Sequence, residues 1–306
     1  MSKSDSSVSQ KGIVAVGEVG LRVWDYFARY HSVRKGLFFR FGFIGNKINF
    51  MKYLNITKKE GYAIVQMNRA KANALNHDMV EEIRETFRSI ASDDNVRGVI
   101  LTGIPNFFSA GLDLIELYDY DSAKMESFFI SFGAMHIEMA RFKKPMVAAI
   151  TGHSPAGGTV LAVAADYRIM ADGEKFSIGL NEVAVNIQIS DNLIEAYSFW
   201  IGKGNAHRYV MEGKLLNAQE ALQCGLVNEV CPAEEVLEKA EQKMQHYLKA
   251  DNEILINTKA KLRKSWLDNL STDDARELEQ ASQVWWKPEV RAKMKAYIAY
   301  FTNKNK

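Results

Sequence analysis

The sequence lacks several features that would place the protein in a specialised class. Its 306 residues contain only two cysteines, Cys224 and Cys231, too few for a disulfide framework. No apolar run approaches the roughly 18 to 20 residues of a membrane span. The first ten residues, MSKSDSSVSQ, do not have the charged and then apolar layout of a secretory signal. These absences favour a soluble, cytoplasmic protein with reduced thiols.

The sequence also lacks a large excess of charge of one sign. The chain has 39 Lys and Arg against 37 Asp and Glu, a net charge of +2. Nucleic-acid binding depends on a clustered basic face, so this small excess argues against nucleic acid as the main partner. A few cations could still bind a phosphorylated small molecule. The six histidines are scattered without the paired spacing of a metal site, and we expect neither a metal nor a redox cofactor.

Residues 1–52 differ from the rest of the chain. A polar, Ser-rich start leads into an aromatic and basic stretch over 23–50, in which Asp25 is the only acid. This stretch could be an amphipathic surface-binding segment, a transit-like leader, or an extension upstream of a true start at Met51. We interpret it as an N-terminal extension, poorly ordered or preceding that start, because the pattern from Met51 onward is self-contained.

Residues 53–232 alternate short apolar strands with helices. Two segments, YLNITK and GYAIVQMN, predict a hairpin, and the buried-type strands are GVILTG, MVAAI, YRIMA and LVNEV. Asn76 offers an N-cap to a helix with apolar residues at helical spacing, and 122–141 predicts another helix. The pattern indicates an α/β fold with crossover connections. After 232 the chain predicts helices only, over 233–249, 252–268, 272–285 and 289–302.

Two turns that follow predicted strands contain small residues. The first lies in FFSAGLDLIEL (107–117), where Asp113 can cap the next helix, and the second in TGHSPAGGTVLAVAAD (151–166). Glycine and alanine let a ligand approach the backbone, so the two turns could aim two N–H groups at one oxygen, as in an oxyanion hole. A plain strand-to-helix turn and tight helix packing would explain the same residues.

A single acid, Glu182, lies in the otherwise apolar stretch FSIGLNEVAVNI (176–187), with no Lys or Arg until Lys203. It is either a surface residue on a loop or a carboxyl group in an apolar pocket. In a pocket its pKa would rise towards values useful for proton transfer.

In their order and spacing, these three segments resemble the crotonase (enoyl-CoA hydratase/isomerase) superfamily. The loop RAKANALN (69–76) is similar to that family's coenzyme A-contacting loop, and the resemblance covers roughly 53–306. It implies an α/β spiral of ββα units over 53–232, and a C-terminal helical region over 233–306 that builds homotrimers or hexamers. It also implies an acyl-CoA thioester substrate, with coenzyme A present only as part of that substrate.

The resemblance assigns roles to individual residues. The main-chain N–H groups of Leu112 and Gly157 would hold the thioester carbonyl. The loop Ala72, Asn73 and Ala74, together with the turn at Ser109, Ala110 and Leu112, would embrace coenzyme A.

The number of acids predicts the reaction within this family. Hydratases that the segments resemble carry two glutamates, whereas this chain has Val160 at one of those positions and Glu182 at the other. The pattern is most similar to Δ3-Δ2-enoyl-CoA isomerases, in which one glutamate moves the proton. Asp191 could supply a second acid, although capping of the following helix by Ser190 or Asp191 explains it better. A hydratase, another crotonase-type lyase or hydrolase, and a non-catalytic acyl-CoA-binding protein remain the alternatives.

Overall fold

The computed structural model describes residues 42–44, 47–49, 51–70, 72–270 and 274–304. Most of the predicted N-terminal extension therefore lies outside the described residues. Its described part consists of a short antiparallel pair of strands, with Gly42 opposite Asn49, and of Met51 and Lys52. In chain order the strands are β1 (Gly42–Ile44), β2 (Lys47–Asn49), β3 (Leu54–Lys59), β4 (Tyr62–Met67), β5 (Gly98–Thr102), β6 (Asn106–Phe107), β7 (Met146–Ile150), β8 (Gly152–Pro155), β9 (Tyr167–Ala171), β10 (Ile178–Gly179) and β11 (Glu229–Cys231).

The helices cover much of the remaining chain. They are α1 (His77–Ser92), α2 (Leu114–Tyr118), α3 (Ser122–Ala140), α4 (Gly157–Val163), α5 (Asp191–Glu212), α6 (Ala218–Gln223), α7 (Val236–Leu248), α8 (Asn252–Leu262), α9 (Lys264–Asp268), α10 (Asp274–Trp285) and α11 (Pro288–Lys304). Short 3-10 turns lie at Glu182–Val185 and Ala233–Glu235. Within the described ranges, no helix combines the length and apolar character needed to cross a membrane.

The main sheet has six strands in the order β11-β9-β7-β5-β4-β3. The hairpin β3–β4 is antiparallel, as predicted, and every other neighbouring pair is parallel. All residues of β5 and β7 are buried, which explains their continuous apolar sequences. The predicted strand LVNEV (226–230) begins later, at β11, because Val227 N donates to the Ala221 carbonyl of the preceding helix and not to a neighbouring strand.

A second, three-stranded parallel sheet has the order β10-β8-β6. Asn106 pairs with Gly152, and Phe107 pairs with His153. Since parallel strands end at the same edge of a sheet, the residues that follow β6 and β8 lie side by side. These residues are the two small-residue turns of the sequence.

Helix caps agree with the sequence. The Asn76 side chain accepts a hydrogen bond from Met79 N at 3.0 Å, and the Asp113 side chain accepts one from Glu116 N at 3.1 Å. The predicted helix after Asn76 and those over 122–141, 233–249, 272–285 and 289–302 are confirmed within a few residues. The predicted helix over 252–268 forms two helices that meet at Arg263. The α/β architecture with helices at its C-terminal end is therefore as predicted.

The C-terminal helices are attached to the sheet by a buried ionic cluster. Asp166, just before β9, lies 2.7 Å from Lys259 Nζ and 2.7 Å from Arg263 Nη2. Its carboxylate also accepts a hydrogen bond from Met146 N at the start of β7. One carboxylate therefore links two central strands to the end of α8.

Candidate active site

The two small-residue turns are in contact. A Cβ atom at Gly111, whose φ is +82°, would lie 3.0 Å from the Pro155 carbonyl oxygen and 3.3 Å from Gly157 N. A Cβ atom at Gly158 would lie 2.6 Å from the Ser109 carbonyl oxygen, closer than real Cβ atoms come. Glycine at these positions is therefore required by the close approach of the turns, and at Gly111 also by its positive φ.

Two buried polar side chains hold this arrangement from behind. Ser109 Oγ donates to the Asn73 carbonyl at 2.8 Å and accepts from Gly111 N at 3.1 Å. The Asn73 side chain accepts from Arg69 N and donates to the Phe108 carbonyl. Both side chains are engaged in hydrogen bonds between the loops, and neither is among the lining residues of the cavity described below. The contact of Asn73 and Ser109 with coenzyme A therefore stays a prediction, and main-chain atoms of these residues would have to make it.

The N–H groups of Leu112 and Gly157 have no acceptor among the main-chain hydrogen bonds of the described residues. Gly157 begins α4, and the residue before it, Ala156, makes no side-chain cap hydrogen bond. Ala156 also has an unusual backbone conformation, with φ +46° and ψ −117°. The geometry leaves two neighbouring donors unused on touching turns.

A cavity of about 920 Å³ opens beside these donors. Its volume lies within the range usual for small-molecule sites. Six of the residues predicted for the site line it, namely Ala72, Ala74, Ala110, Leu112, Gly157 and Glu182.

Glu182 begins the 3-10 turn that follows β10, and its side chain faces the cavity. The residue is 6% exposed, so the surface alternative is wrong. Its Oε2 atom has no hydrogen-bond partner in the described part of the chain. Burial raises the pKa of this carboxyl group to about 7, partly offset by a main-chain hydrogen bond. Such a group can accept and release a proton near neutral pH.

The other acid that the sequence singled out lies elsewhere. Asp191 is at the exposed start of α5, where it pairs with Arg276 at 3.1 Å, and it does not line the cavity. Ser190 caps this helix by accepting from Leu193 N at 3.4 Å. Val160, at the position of the second hydratase glutamate, is 1% exposed within the apolar core.

Two further carboxyl groups line the cavity. Asp113 is bound by Arg69 at 2.7 Å and caps α2, so it is engaged in structure. Glu277, on α10, has an Oε1 atom that is buried and has no hydrogen-bond partner among the residues described. The pKa of Glu277 is raised above its ordinary value, mainly by burial and also by the nearby charge of Asp191. Hydrogen bonds from the Asp191 main chain and the Ser190 hydroxyl offset part of this rise.

Sequence reasoning missed much of the cavity wall. One side is formed by α3, whose apolar residues were predicted only as a helix face; the lining includes Phe128, Phe129, Phe132, Gly133, His136 and Ile137. The other side comes from the C-terminal helices and includes Glu277, Leu278, Ala281, Tyr297 and Ile298. Phenylalanines on adjacent faces of α3 were the one signal that this helix contacts apolar groups on more than one side.

Known proteins resemble this chain in sequence. The enoyl-CoA hydratase/isomerase family model matches residues 57–306. Mouse mitochondrial enoyl-CoA delta isomerase 1 is 32% identical over 239 residues, which cover 78% of this chain and 83% of that protein. A probable enoyl-CoA hydratase from Mycobacterium leprae is 33% identical over 196 residues, covering 62% of this chain and 74% of that protein.

The similarity extends to solved structures. The crystal structure of human mitochondrial delta3-delta2-enoyl-CoA isomerase aligns with a TM-score of 0.78 at 28% identity, covering 83% of this chain and 100% of that one. The family model covers most of the chain, including both turns and Glu182. This chain therefore belongs to the enoyl-CoA hydratase/isomerase family.

Proposed function

We propose that this protein is an isomerase that moves the double bond of a 3-enoyl-CoA to the C2 position. The observation that carries the proposal is Glu182, a buried carboxyl group with an unpartnered oxygen and a pKa of about 7. It shares an apolar cavity with the two unused N–H donors of Leu112 and Gly157.

The proposed reaction needs one base and a site for a negative oxygen. The thioester oxygen accepts hydrogen bonds from Leu112 N–H and Gly157 N–H, each worth roughly 3 kcal/mol of transition-state stabilisation. The Glu182 carboxylate takes a proton from C2, leaving a dienolate and a neutral carboxylic acid. The acid returns the proton to C4, the C3–C4 double bond becomes C2–C3, and the carbonyl re-forms. Glu182 ends as it began.

Coenzyme A would enter as part of the substrate, along the loop of Ala72 and Ala74 and the turn at Ala110. Main-chain atoms of Asn73 and Ser109 would belong to the same cradle. We propose no other cofactor, because the reaction as written transfers only a proton.

A hydratase is the second candidate, favoured by the hydratase relative and by Glu277. Hydration needs a water molecule held between two proton-transferring groups. Besides Glu182, Glu277 is the acid in the cavity lining that has a buried oxygen with no hydrogen-bond partner in the described part of the chain, so this alternative would act through it.

The two reactions are separated by a simple assay. Purified protein is given 3-hexenoyl-CoA or 2-hexenoyl-CoA, and the absorbance of the conjugated enoyl thioester is followed. The isomerase produces an increase with the first substrate and no loss with the second. A rapid loss with the second substrate that disappears in Glu277→Gln would establish the hydratase and contradict our proposal.

A further inference from the structure

His136 is a buried polar residue for which the proposed reaction has no use. It lies on α3, is 2% exposed, and lines the cavity. Neither ring nitrogen makes a hydrogen bond of ordinary geometry to any part of the chain that the structure describes. Burial lowers the pKa of the imidazole to about 4, so the ring is neutral near pH 7.

The surroundings of His136 determine which of its nitrogens is free to accept. A neutral imidazole has one N–H donor and one acceptor nitrogen. The Asn192 main chain raises the pKa of His136, so it favours the tautomer whose N–H points towards the Asn192 carbonyl. In that tautomer the second nitrogen is an acceptor that has no donor in the described part of the chain.

On the α3 side the cavity around His136 is otherwise apolar, whereas the start of α5 adds the polar lining residues Ser190 and Asn192. Its neighbours on α3 are Phe132, Gly133 and Ile137, and its ring lies 6.4 Å from that of Trp266, centroid to centroid. The second unpartnered acceptor, Glu277 Oε1, lines the same cavity and approaches the start of α5, as His136 does. An all-hydrocarbon acyl chain would leave both acceptors unsatisfied, which costs free energy in a buried site.

We propose that His136 is a specificity-determining residue that accepts a hydrogen bond from a hydroxyl group on the acyl chain, beyond the reacting double bond. The preferred substrates are thus hydroxylated 3-enoyl-CoA esters. This inference rests on the proposed function, because the acyl chain must enter the same cavity as the thioester. A ketone or a methyl ether at that carbon has no proton to donate and would not be preferred.

The test compares 3-dodecenoyl-CoA with the same ester carrying one hydroxyl at each carbon from C6 to C12 in turn. For the wild-type protein, we expect kcat/KM to be highest for one hydroxyl position, by about fivefold over the plain ester, the effect of one hydrogen bond. The corresponding keto ester should lose this advantage.

Substitution of His136 identifies the partner. His136→Phe keeps a ring of similar size in the cavity but removes the acceptor nitrogen, so the ratio of hydroxylated to plain substrate should fall to about one. His136→Asn retains an acceptor and should recover part of the preference. Met139→Leu, a volume-conserving change at a buried position of the same helix that does not line the cavity, is the matched control and should leave the ratio unchanged.

Binding separates failure of this inference from failure of the proposed function. Calorimetry with saturated dodecanoyl-CoA and its hydroxylated forms needs no turnover. If no ester is isomerised but the hydroxylated ligand still binds about fivefold more tightly, only in proteins that retain His136, the isomerase proposal fails and the inference stands. Equal affinities, or a preference that persists in His136→Phe, would mean that a water molecule or nothing satisfies His136, and the inference would be overturned.

Discussion

At the scale of single residues, the properties of Glu182 come from its surroundings. A carboxyl group at 6% exposure with one unpartnered oxygen is poorly solvated, which favours the neutral form. A general base, however, must be ionised before it can take a proton. The same burial that tunes the pKa to about 7 therefore makes the active fraction of the protein sensitive to pH near neutrality.

The first prediction concerns the pH dependence of turnover. Since only the carboxylate of Glu182 accepts the C2 proton, kcat/KM for 3-hexenoyl-CoA should rise with pH and level off above about pH 7. The measurement is initial rate at low substrate across a buffered series. A profile that stays flat through about pH 7 would mean that Glu182 does not titrate in the free protein, or is not the base.

The second prediction concerns the loss of the base. Glu182→Gln keeps the size and a polar end of the side chain but cannot carry the proton, so kcat should fall by roughly a hundredfold to ten-thousandfold. Binding of hexanoyl-CoA, followed by calorimetry, should change little. Glu277→Gln is the matched control, a carboxyl-to-amide change in the same cavity that should leave kcat largely intact.

The third prediction concerns the free energy of unfolding. The pKa of Glu182 is about 7 in the folded protein against an ordinary 4.5, so the folded state binds more protons between these values. Stability should therefore fall as pH rises from about 4.5 to about 7, by up to roughly 3 kcal/mol. Glu182→Gln removes this loss and should be the more stable protein at pH 8, but not at pH 4.5. Urea denaturation of both proteins at the two pH values measures the difference; equal stabilities at pH 8 would show that ionising Glu182 has little cost.

At the scale of elements, the fit of the two turns controls the position of the N–H donors. The Cβ atom of an alanine at position 158 would meet the Ser109 carbonyl at 2.6 Å, and a backbone atom cannot swing away as a side chain can. The fourth prediction follows from this contact. Gly158→Ala should separate the turns and lower kcat for 3-hexenoyl-CoA by about tenfold or more, because small displacements of catalytic donors are costly.

Gly204→Ala provides the control for this change. Gly204 lies in α5, two residues after a kink at the non-helical Gly202, and a Cβ atom there would meet nothing within 4 Å. Because this position is in the first turn after the kink, alanine should stabilise the protein by at most about 0.5 kcal/mol and leave kcat unchanged. If both variants keep full activity, the close contact of the turns does not set the donor geometry.

The elements also show what could be predicted from the sequence. Buried parallel strands need continuous apolar runs, and the touching turns need small residues, so β5, β7 and the turns at Gly111 and Gly157 are visible locally. A cavity wall has no such local signature. The apolar face of α3 would look the same against a protein core as against an acyl chain, and Glu277 reaches the cavity only through the packing of α10.

At the scale of the whole molecule, chain segments far apart in sequence complete one cavity. The turns that hold the N–H donors lie near residues 110 and 157, whereas Leu278 and Tyr297 come from the last two helices. The position of these helices therefore affects the cavity. Assembly as a homotrimer or hexamer stays a prediction, and so does a cytoplasmic location, since the human and mouse relatives are named as mitochondrial proteins.

The last prediction concerns the attachment of the C-terminal helices. Asp166 is the carboxylate that pairs with the buried cations of Lys259 and Arg263, both at 2.7 Å. Asp166→Asn leaves these two largely buried cations without a negative partner. We expect a loss of roughly 3 to 5 kcal/mol in the free energy of unfolding, since removing one member of a buried ionic group strands the others.

This variant also tests the link between the ionic cluster and the cavity. If α8 is held by Asp166 and the following helices depend on α8, then KM for a long acyl substrate should rise more than kcat falls. Asp268→Asn breaks only the exposed pair with Lys264 on α9 and should cost less than about 0.5 kcal/mol. Urea denaturation measures the free energy of unfolding of both variants, and steady-state kinetics measures their kcat and KM. If Asp166→Asn and Asp268→Asn change these quantities equally, the C-terminal helices are held mainly by their apolar contacts, such as Trp266 and Trp285, which are nearly fully buried.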